Sequence, residues 1–283
     1  MKLSSFSFII IMVSCLLLRP ALGVVLAYDD FEDYDLGDLE AGNNNAGDGW
    51  GDPWSANTVV TSIINPNGAL SYQIPGGGLI DGGNRANEIN GNSNTVFSRT
   101  LQAPVSDTIY VGFLFYAAPG TSFAKNDFAA LWLGEALFVG APSIGLKSNF
   151  GPNDEDLMGR ITGNREVYGS EMNIGQTYYM VAKISKTGGM STYNQLDLWV
   201  NPSVGDSNSP LGTSTGNIQF SEFSAVGFRS VNLNSNDRLW FDALTIATEW
   251  EDVVPIPEPS HLVLWLSILI VLFAGFDRRK SSI

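Results

Sequence analysis

Leu196-Asp197-Leu198-Trp199-Val200 decides the fold class. Aliphatic residues fall at every second position, so an extended backbone places all three on one face, as a strand with one buried side requires. Asn201-Pro202-Ser203 then stops the run, because proline brings no N–H to a ladder and Asn and Ser favour turns. The same unit recurs along the chain. Thr58–Ile64, Val96–Leu101, Thr108–Tyr116, Phe128–Leu133, Tyr178–Ser185, Gln195–Val200, Ser224–Ser230 and Leu239–Ala247 are short and rich in β-branched and aromatic residues. Lys183 and Asp242 interrupt two of them at outward-facing positions. Tyr110–Tyr116 is apolar apart from Gly112, which predicts a central strand covered on both sides.

Between these runs lie turn signals: Asn65-Pro66-Asn67-Gly68, Pro75-Gly76-Gly77-Gly78, Asp81-Gly82-Gly83-Asn84 and Lys186-Thr187-Gly188-Gly189. No stretch of the body sustains a 3.6-residue apolar period, and no repeat of fixed length is present. So many short strands are best satisfied by two packed antiparallel sheets. The expected class is all-β, a single antiparallel jelly-roll sandwich spanning residues 28–252.

The two ends have a different character. Lys2 opens a basic segment, Phe6 to Leu18 are apolar, and Ala21-Leu22-Gly23 or Val25-Leu26-Ala27 offers a small-residue cleavage site. Residues 1–27 are therefore expected to be a secretory signal peptide. Cys15, the only cysteine, lies inside it. Met12-Val13-Ser14-Cys15 faintly matches a lipoprotein box, but apolar residues follow where a lipoprotein turns polar. A mature body without cysteine must rely on core packing alone. At the other end, Pro255, Pro257 and Pro259 keep the linker 253–260 extended. Leu262 to Phe276 is an apolar run of 15 residues, which as a helix spans roughly 22 Å. It predicts a short transmembrane helix over 261–277. The basic tail 278–283 follows, and its Lys/Arg excess places it in the cytoplasm with the body outside. A buried C-terminal core helix is the alternative, though such a helix rarely runs apolar on all faces and then stops at Arg-Arg-Lys.

The ordered triad of Pro257-Glu258-Pro259-Ser260, apolar run and Arg278-Arg279-Lys280 resembles the PEP-CTERM sorting signal of Gram-negative bacteria. That resemblance implies a route. An exosortase-type membrane protease would process the chain near the Pro-Glu-Pro motif. The body would pass from the inner membrane to the cell surface or the exopolysaccharide matrix. The body itself resembles laminin-G-like, concanavalin A-like jelly rolls. The resemblance is carried by Tyr28-Asp29-Asp30-Phe31-Glu32, Gly49-Trp50-Gly51-Asp52-Pro53-Trp54, Ala136-Leu137-Phe138-Val139-Gly140, Leu196–Pro202, Val226–Ser230 and Phe241–Ile246. Such folds host lectins, glycoside hydrolases, adhesion modules and spacers, so the fold does not select a function.

The charge is −14. Setting aside Lys2, Arg19, Arg278, Arg279, Lys280, Glu258 and Asp277 leaves 10 basic and 27 acidic residues, a body near −17. Such a body repels nucleic acid. Seven carboxylates crowd between Asp29 and Glu40. They are expected on an edge strand kept soluble by charge, with a calcium site as the sharper alternative. Calcium is the one cofactor considered. No residue is assigned as a metal ligand, because Asp33-Tyr34-Asp35-Leu36-Gly37 has glycine where a calcium loop needs a third ligand.

The only histidine, His261, lies in the sorting tail. A body without His or Cys excludes Ser/His/Asp and Cys/His catalysis and zinc sites with nitrogen or sulfur ligands. Gly212-Thr213-Ser214-Thr215-Gly216 matches a nucleophile elbow but has no base, and is expected to be a loop. Glycoside hydrolysis needs two opposed carboxylates. The nearest clusters, Asp154-Glu155-Asp156 and Glu249-Trp250-Glu251, are expected on solvated surface. No catalytic residue is assigned. Of six body tryptophans, Trp132, Trp199 and Trp240 fall in strand patterns and are expected in the core. Trp50 and Trp54 sit in a Gly/Asp-rich loop and are the candidates for stacking sugar, with packing over the end of the sandwich as the alternative. The expected function is a non-catalytic exported envelope or matrix protein with a structural or adhesive role. The alternative is a carbohydrate-binding module with possible calcium dependence.

Overall fold

The computed structural model describes residues 23–39, 45–56, 61–66, 70–91, 96–135, 140–148 and 155–256. The expected signal peptide up to residue 22 lies outside them. So does the sorting motif with Pro257, Glu258, Pro259, Ser260, Arg278, Arg279 and Lys280, and so do Ala136 to Val139. In chain order the strands are β1 (Val25–Asp29), β2 (Gly37–Asp38), β3 (Ser55–Ala56), β4 (Thr61–Ile64), β5 (Ser71–Gln73), β6 (Leu79–Asp81), β7 (Ala86–Asn90), β8 (Val96–Val105) and β9 (Ile109–Ala117). There follow β10 (Phe128–Gly134), β11 (Ser143–Ser148), β12 (Glu155–Arg160), β13 (Val167–Glu171), β14 (Thr177–Ser185), β15 (Gln195–Val200), β16 (Gly212–Thr215), β17 (Phe223–Val231) and β18 (Arg238–Ala247). One short helix, α1 (Trp250–Val253), closes the described chain.

These strands form a nine-stranded sheet, ordered β16-β15-β14-β9-β18-β7-β4-β2 with β1 also on β18, and a seven-stranded sheet, ordered β13-β12-β11-β10-β17-β8-β3. The chain is an all-β, antiparallel jelly-roll sandwich, as expected. The inner faces meet over a phenylalanine cluster. Phe228 and Phe241 lie 4.0 Å apart between ring centroids, Phe115 and Phe241 4.8 Å, and Phe97 and Phe228 5.2 Å. Each such buried ring stabilises the fold by roughly 1.5–3 kcal/mol.

The nine-stranded sheet is covered on its outer face as well. The β5–β6 hairpin and α1 bring Leu70, Ile74, Trp250, Val253 and Val254 onto Leu114, Tyr179, Val181 and Trp199. The Gly78 N–H donates to the Pro255 carbonyl at 3.0 Å, and the Tyr179 hydroxyl donates to that of Val253. This second layer explains the unbroken apolar run of β9. It also corrects three expectations. The Leu196–Val200 stretch has two buried faces: Trp199 packs under the hairpin side, and Asp197 accepts from Thr213 Oγ1 at 2.7 Å. Asp242 is not outward-facing but 1% exposed. Residues 212–215 form the edge strand β16 rather than a loop.

The folded body also overruns the expected boundaries of 28 and 252. β1 pairs Val25 with Ala247 and Ala27 with Ile246. Val24 donates to Thr248 Oγ1 at 3.0 Å and its carbonyl accepts from the Thr248 N–H at 3.1 Å. The acidic run reaches a sheet edge, as expected, only at Gly37–Asp38, where β2 pairs with β4. It leaves β1 at Asp29 and turns, because Asp29 Oδ1 accepts from the Phe31 N–H and Asp30 Oδ1 from the Glu32 N–H. Phe31 adopts φ 57° at that turn. Among the described residues no helix is long and apolar enough to cross a membrane.

Candidate functional site

The predicted sugar platform turns out to be a structural knot. Trp54 is 1% exposed. Its ring packs on Phe31, Phe97 and Phe228, and its Nε1 donates to Asp29 Oδ2 at 2.8 Å. Trp54 therefore presents no face to a sugar, a correction to the expectation from its Gly/Asp-rich surroundings. Trp50 is half-buried, donates to the Tyr28 carbonyl, and lies under the Arg99 guanidinium at 4.9 Å. Asp29 collects the Tyr34 hydroxyl at 2.7 Å and Arg99 Nη1 at 3.0 Å besides Trp54. Arg99 also donates to the Asp52 and Ala46 carbonyls and to Asn45 Oδ1. Burial pushes the Asp29 carboxyl up to about 6, against the pull of these donors. Every arm of the guanidinium is spent on holding the 45–54 loop to β1 and β8.

A second constellation lies on the outer face of the seven-stranded sheet. Antiparallel register sets Trp132 beside Ser143 and Ser143 beside Arg160 in one row. The next row runs Arg229, Ala130, Gly145, Met158, Tyr168. The third sets Val231, Phe128 and Lys147 together, with Asp156 next by register. Residues opposite one another in register share a face. That face is distinct from the inter-sheet core: Phe128, Ala130 and Met158 form one apolar cluster with Tyr168 and Val231, and Trp132 forms another with Ala141 and Ala225. Trp132 is buried as expected, but on this outer face rather than between the sheets.

Charge is organised around one ring. Arg160 and Arg229 place their guanidinium carbons 5.0 and 5.7 Å from the Phe128 centroid. Glu166 accepts from Lys147 Nζ at 2.8 Å and from Arg160 Nη1 at 3.1 Å. Burial acts to raise the Glu166 carboxyl, but these two cations outweigh it and hold it below the usual range. Arg229 has no ion pair among the described residues. Burial, and then the Arg160 charge, lower its pKa. Two buried donors on this face, Trp132 Nε1 and Arg160 Nε, have no acceptor. Sequence reasoning missed the whole group, since Lys147, Arg160 and Arg229 are far apart in the chain and carry no spacing signal.

Catalytic signatures dissolve on inspection. Ser214 Oγ donates to the Arg165 carbonyl and accepts from the Ile161 N–H, so it is a brace of the β16 edge. Glu249 and Glu251 are exposed around the buried Trp250, and the Asp154 side of the other acidic cluster lies outside the described residues. The buried carboxyls Asp127 and Asp237 cap their own turns through the Ala124 and Asn234 N–H groups. Asp242 stands apart. Its Oδ1 accepts from the Ala243 N–H at 2.7 Å while its Oδ2 has no partner. Burial pushes it well above the usual range; the Ala243 N–H opposes this, and Asp30, Glu32 and Asp29 add to it. Among the described residues no three His, Cys, Asp or Glu side chains are grouped so as to hold a metal ion.

No protein-family profile and no curated protein matches the chain. Solved structures with a similar fold do exist. One is the carbohydrate recognition domain of Emp47p, at 12% identity and TM-score 0.43, covering 76% of this chain and 95% of that one. Another is domain 4 of AbnA, a GH43 extracellular arabinanase from Geobacillus stearothermophilus, in complex with arabinotriose, at 10% identity and TM-score 0.44, covering 80% and 92%. A third is a double mutant of alginate lyase Aly36B in complex with alginate trisaccharide, at 10% identity and TM-score 0.49, covering 80% and 96%. At these identities the likeness concerns the fold.

Proposed function

We propose that this chain is an exported glycan-binding protein whose jelly-roll body works by contact rather than reaction. One observation carries the reading. The outer face of the seven-stranded sheet holds the guanidinium groups of Arg160 and Arg229 over the Phe128 ring, in one apolar cluster with Tyr168. The half-buried Arg229 and Tyr168 are among the groups there that a ligand can reach, and a charged guanidinium makes its strongest hydrogen bonds to acceptor-rich ligands. Sugar hydroxyls and ring oxygens supply acceptors, and pyranose C–H faces suit aromatic rings. The absence of His and Cys from residues 24–256 supports binding without catalysis.

Export is the second part of the proposal, supported by the tripartite ends. Of the two cleavage sites, the one after Gly23 spares the body. A cut after Ala27 would remove Val24 to Ala27, with their bonds to Thr248 and their pairing to β18. Gly23 lies against Glu249 and Asp252, so both connections leave the body at one place, on the nine-stranded sheet. The opposite face is then free to meet the matrix while an exosortase-type protease processes the tail near Pro257–Ser260. Intact mass of the exported protein tests the route: the predicted N-terminus is Val24, and Tyr28 would contradict it. A glycan array run on the full-length chain in detergent, with and without chelator, tests the function. Retention of some glycans is expected. Silence across neutral and acidic polymers would leave only a structural role.

A further inference from the structure

We propose that the outer face of the seven-stranded sheet selects polysaccharides whose sugars carry carboxylates. The inference rests on the glycan-binding reading and names its ligand class. Three of the body's ten cations, Lys147, Arg160 and Arg229, gather on this face of a body near −17. Glu166 does serve Lys147 and Arg160, and Asp156 sits opposite Lys147 by register, but nothing among the described residues pairs with Arg229. Arg229 and Arg160 are held against the same phenyl ring. Like charges confined this way repel, and an anion seated between them removes the penalty.

The donor geometry fits a carboxylate. A guanidinium offers a planar fork matched to two oxygens, and such bidentate pairs are among the stronger hydrogen bonds. Arg229, which is half-buried and without an ion pair among the described residues, supplies this chemistry, and Arg160 adds its charge from the other side of the Phe128 ring. A neutral glycan would leave Arg229 without a counter-charge. The row arrangement suits a linear polymer. Small residues, Ala130 and Gly145, separate Arg229 from Met158 and Tyr168 along one row. A chain lying along it would set a carboxylate at Arg229 and a sugar face at Tyr168. A nucleic-acid duplex, at about one charge per 1.7 Å, fits worse than a sparser polyanion, because repulsion by the acidic body grows with charge density. Glu166 is a positioning residue here: it fixes Lys147 and Arg160 without meeting the ligand.

The experiment uses the full-length chain in detergent micelles. It compares binding to polygalacturonate, to the same polymer after carboxyl reduction, and to dextran. The acidic polymer is expected to bind, its reduced form at least about tenfold more weakly, and affinity is expected to fall as salt rises. R229Q is expected to lose about tenfold or more on the acidic polymer with its far-UV circular dichroism unchanged, and R160Q to lose at least as much. Equal binding to acidic and reduced polymers would overturn the carboxylate inference and leave the glycan reading standing. Binding to none would overturn both. Acid-selective binding that survives R229Q and R160Q would place the ligand elsewhere and overturn the site.

Discussion

The two outer faces of this sandwich are built on opposite principles. The nine-stranded sheet buries its outer face under its own chain, with Trp250, Val253 and the β5–β6 hairpin packed on Tyr179 and Trp199. Unpartnered buried polar atoms occur on both sides, Trp250 Nε1, Ser185 Oγ and Asp242 Oδ2 with the nine-stranded sheet and Trp132 Nε1 and Arg160 Nε with the seven-stranded one; what sets the second face apart is that Arg229 and Arg160 share the Phe128 ring while Arg229 has no ion pair among the described residues. The proposal places stability on one side and recognition on the other.

The largest effect should come from opening the closed face. Trp250→Ala removes a buried ring that lies tilted against Trp199, 5.0 Å between centroids. It is expected to cost roughly 3–5 kcal/mol in denaturant unfolding. Whatever fraction remains folded should bind glycan as before; a parallel loss of binding would mean the two faces are not separate.

A smaller effect is expected at Asp242, one of several residues of the nine-stranded sheet and its cover with an unpartnered buried polar atom. Its folded pKa is raised by burial above the ordinary 3.8. The sign follows: stability from this group is fully present below that ordinary value, where the carboxyl is protonated in both states, and is lost as pH rises through the folded pKa. Asp242→Asn keeps the acceptor for the Ala243 N–H and removes the charge. The variant should therefore gain on the wild type as pH rises, seen as a widening gap in melting temperature between pH 5 and pH 8. A constant gap would show that Asp242 carries no pH-dependent strain. The smallest effect is expected from Arg229→Gln on stability, within about 0.5 kcal/mol of wild type, because relief of repulsion from Arg160 offsets lost packing on Phe128. A change of several kcal/mol would make Arg229 a structural residue.

How much of this could be seen in the chain alone depends on the range of the interaction. Strand type is written locally, and β15 follows Gln195–Val200 residue for residue. β11 and β12 went unseen. Ser143-Ile144-Gly145-Leu146-Lys147-Ser148 is thin in β-branched residues, and β12 opens on Glu155-Asp156. Those two strands carry Lys147 and Arg160, so the cationic face was hidden with them. Its third member, Arg229, joins only through β17 register with β10. Trp54 failed for a related reason. Gly/Asp-rich surroundings predict exposure, but a buried carboxylate 25 residues earlier draws the indole inward. Asp242 was misjudged because alternation says which face a residue takes, not whether a distant segment of the chain covers that face.

The most direct test of the division between the faces is to locate a bound acidic oligosaccharide on the protein, by crystallography or by chemical-shift mapping. The account predicts contacts to Arg229, Arg160, Trp132 and Tyr168, and none to the β5–β6 hairpin. A sugar seated instead beside Trp50 or against the α1 side would contradict it.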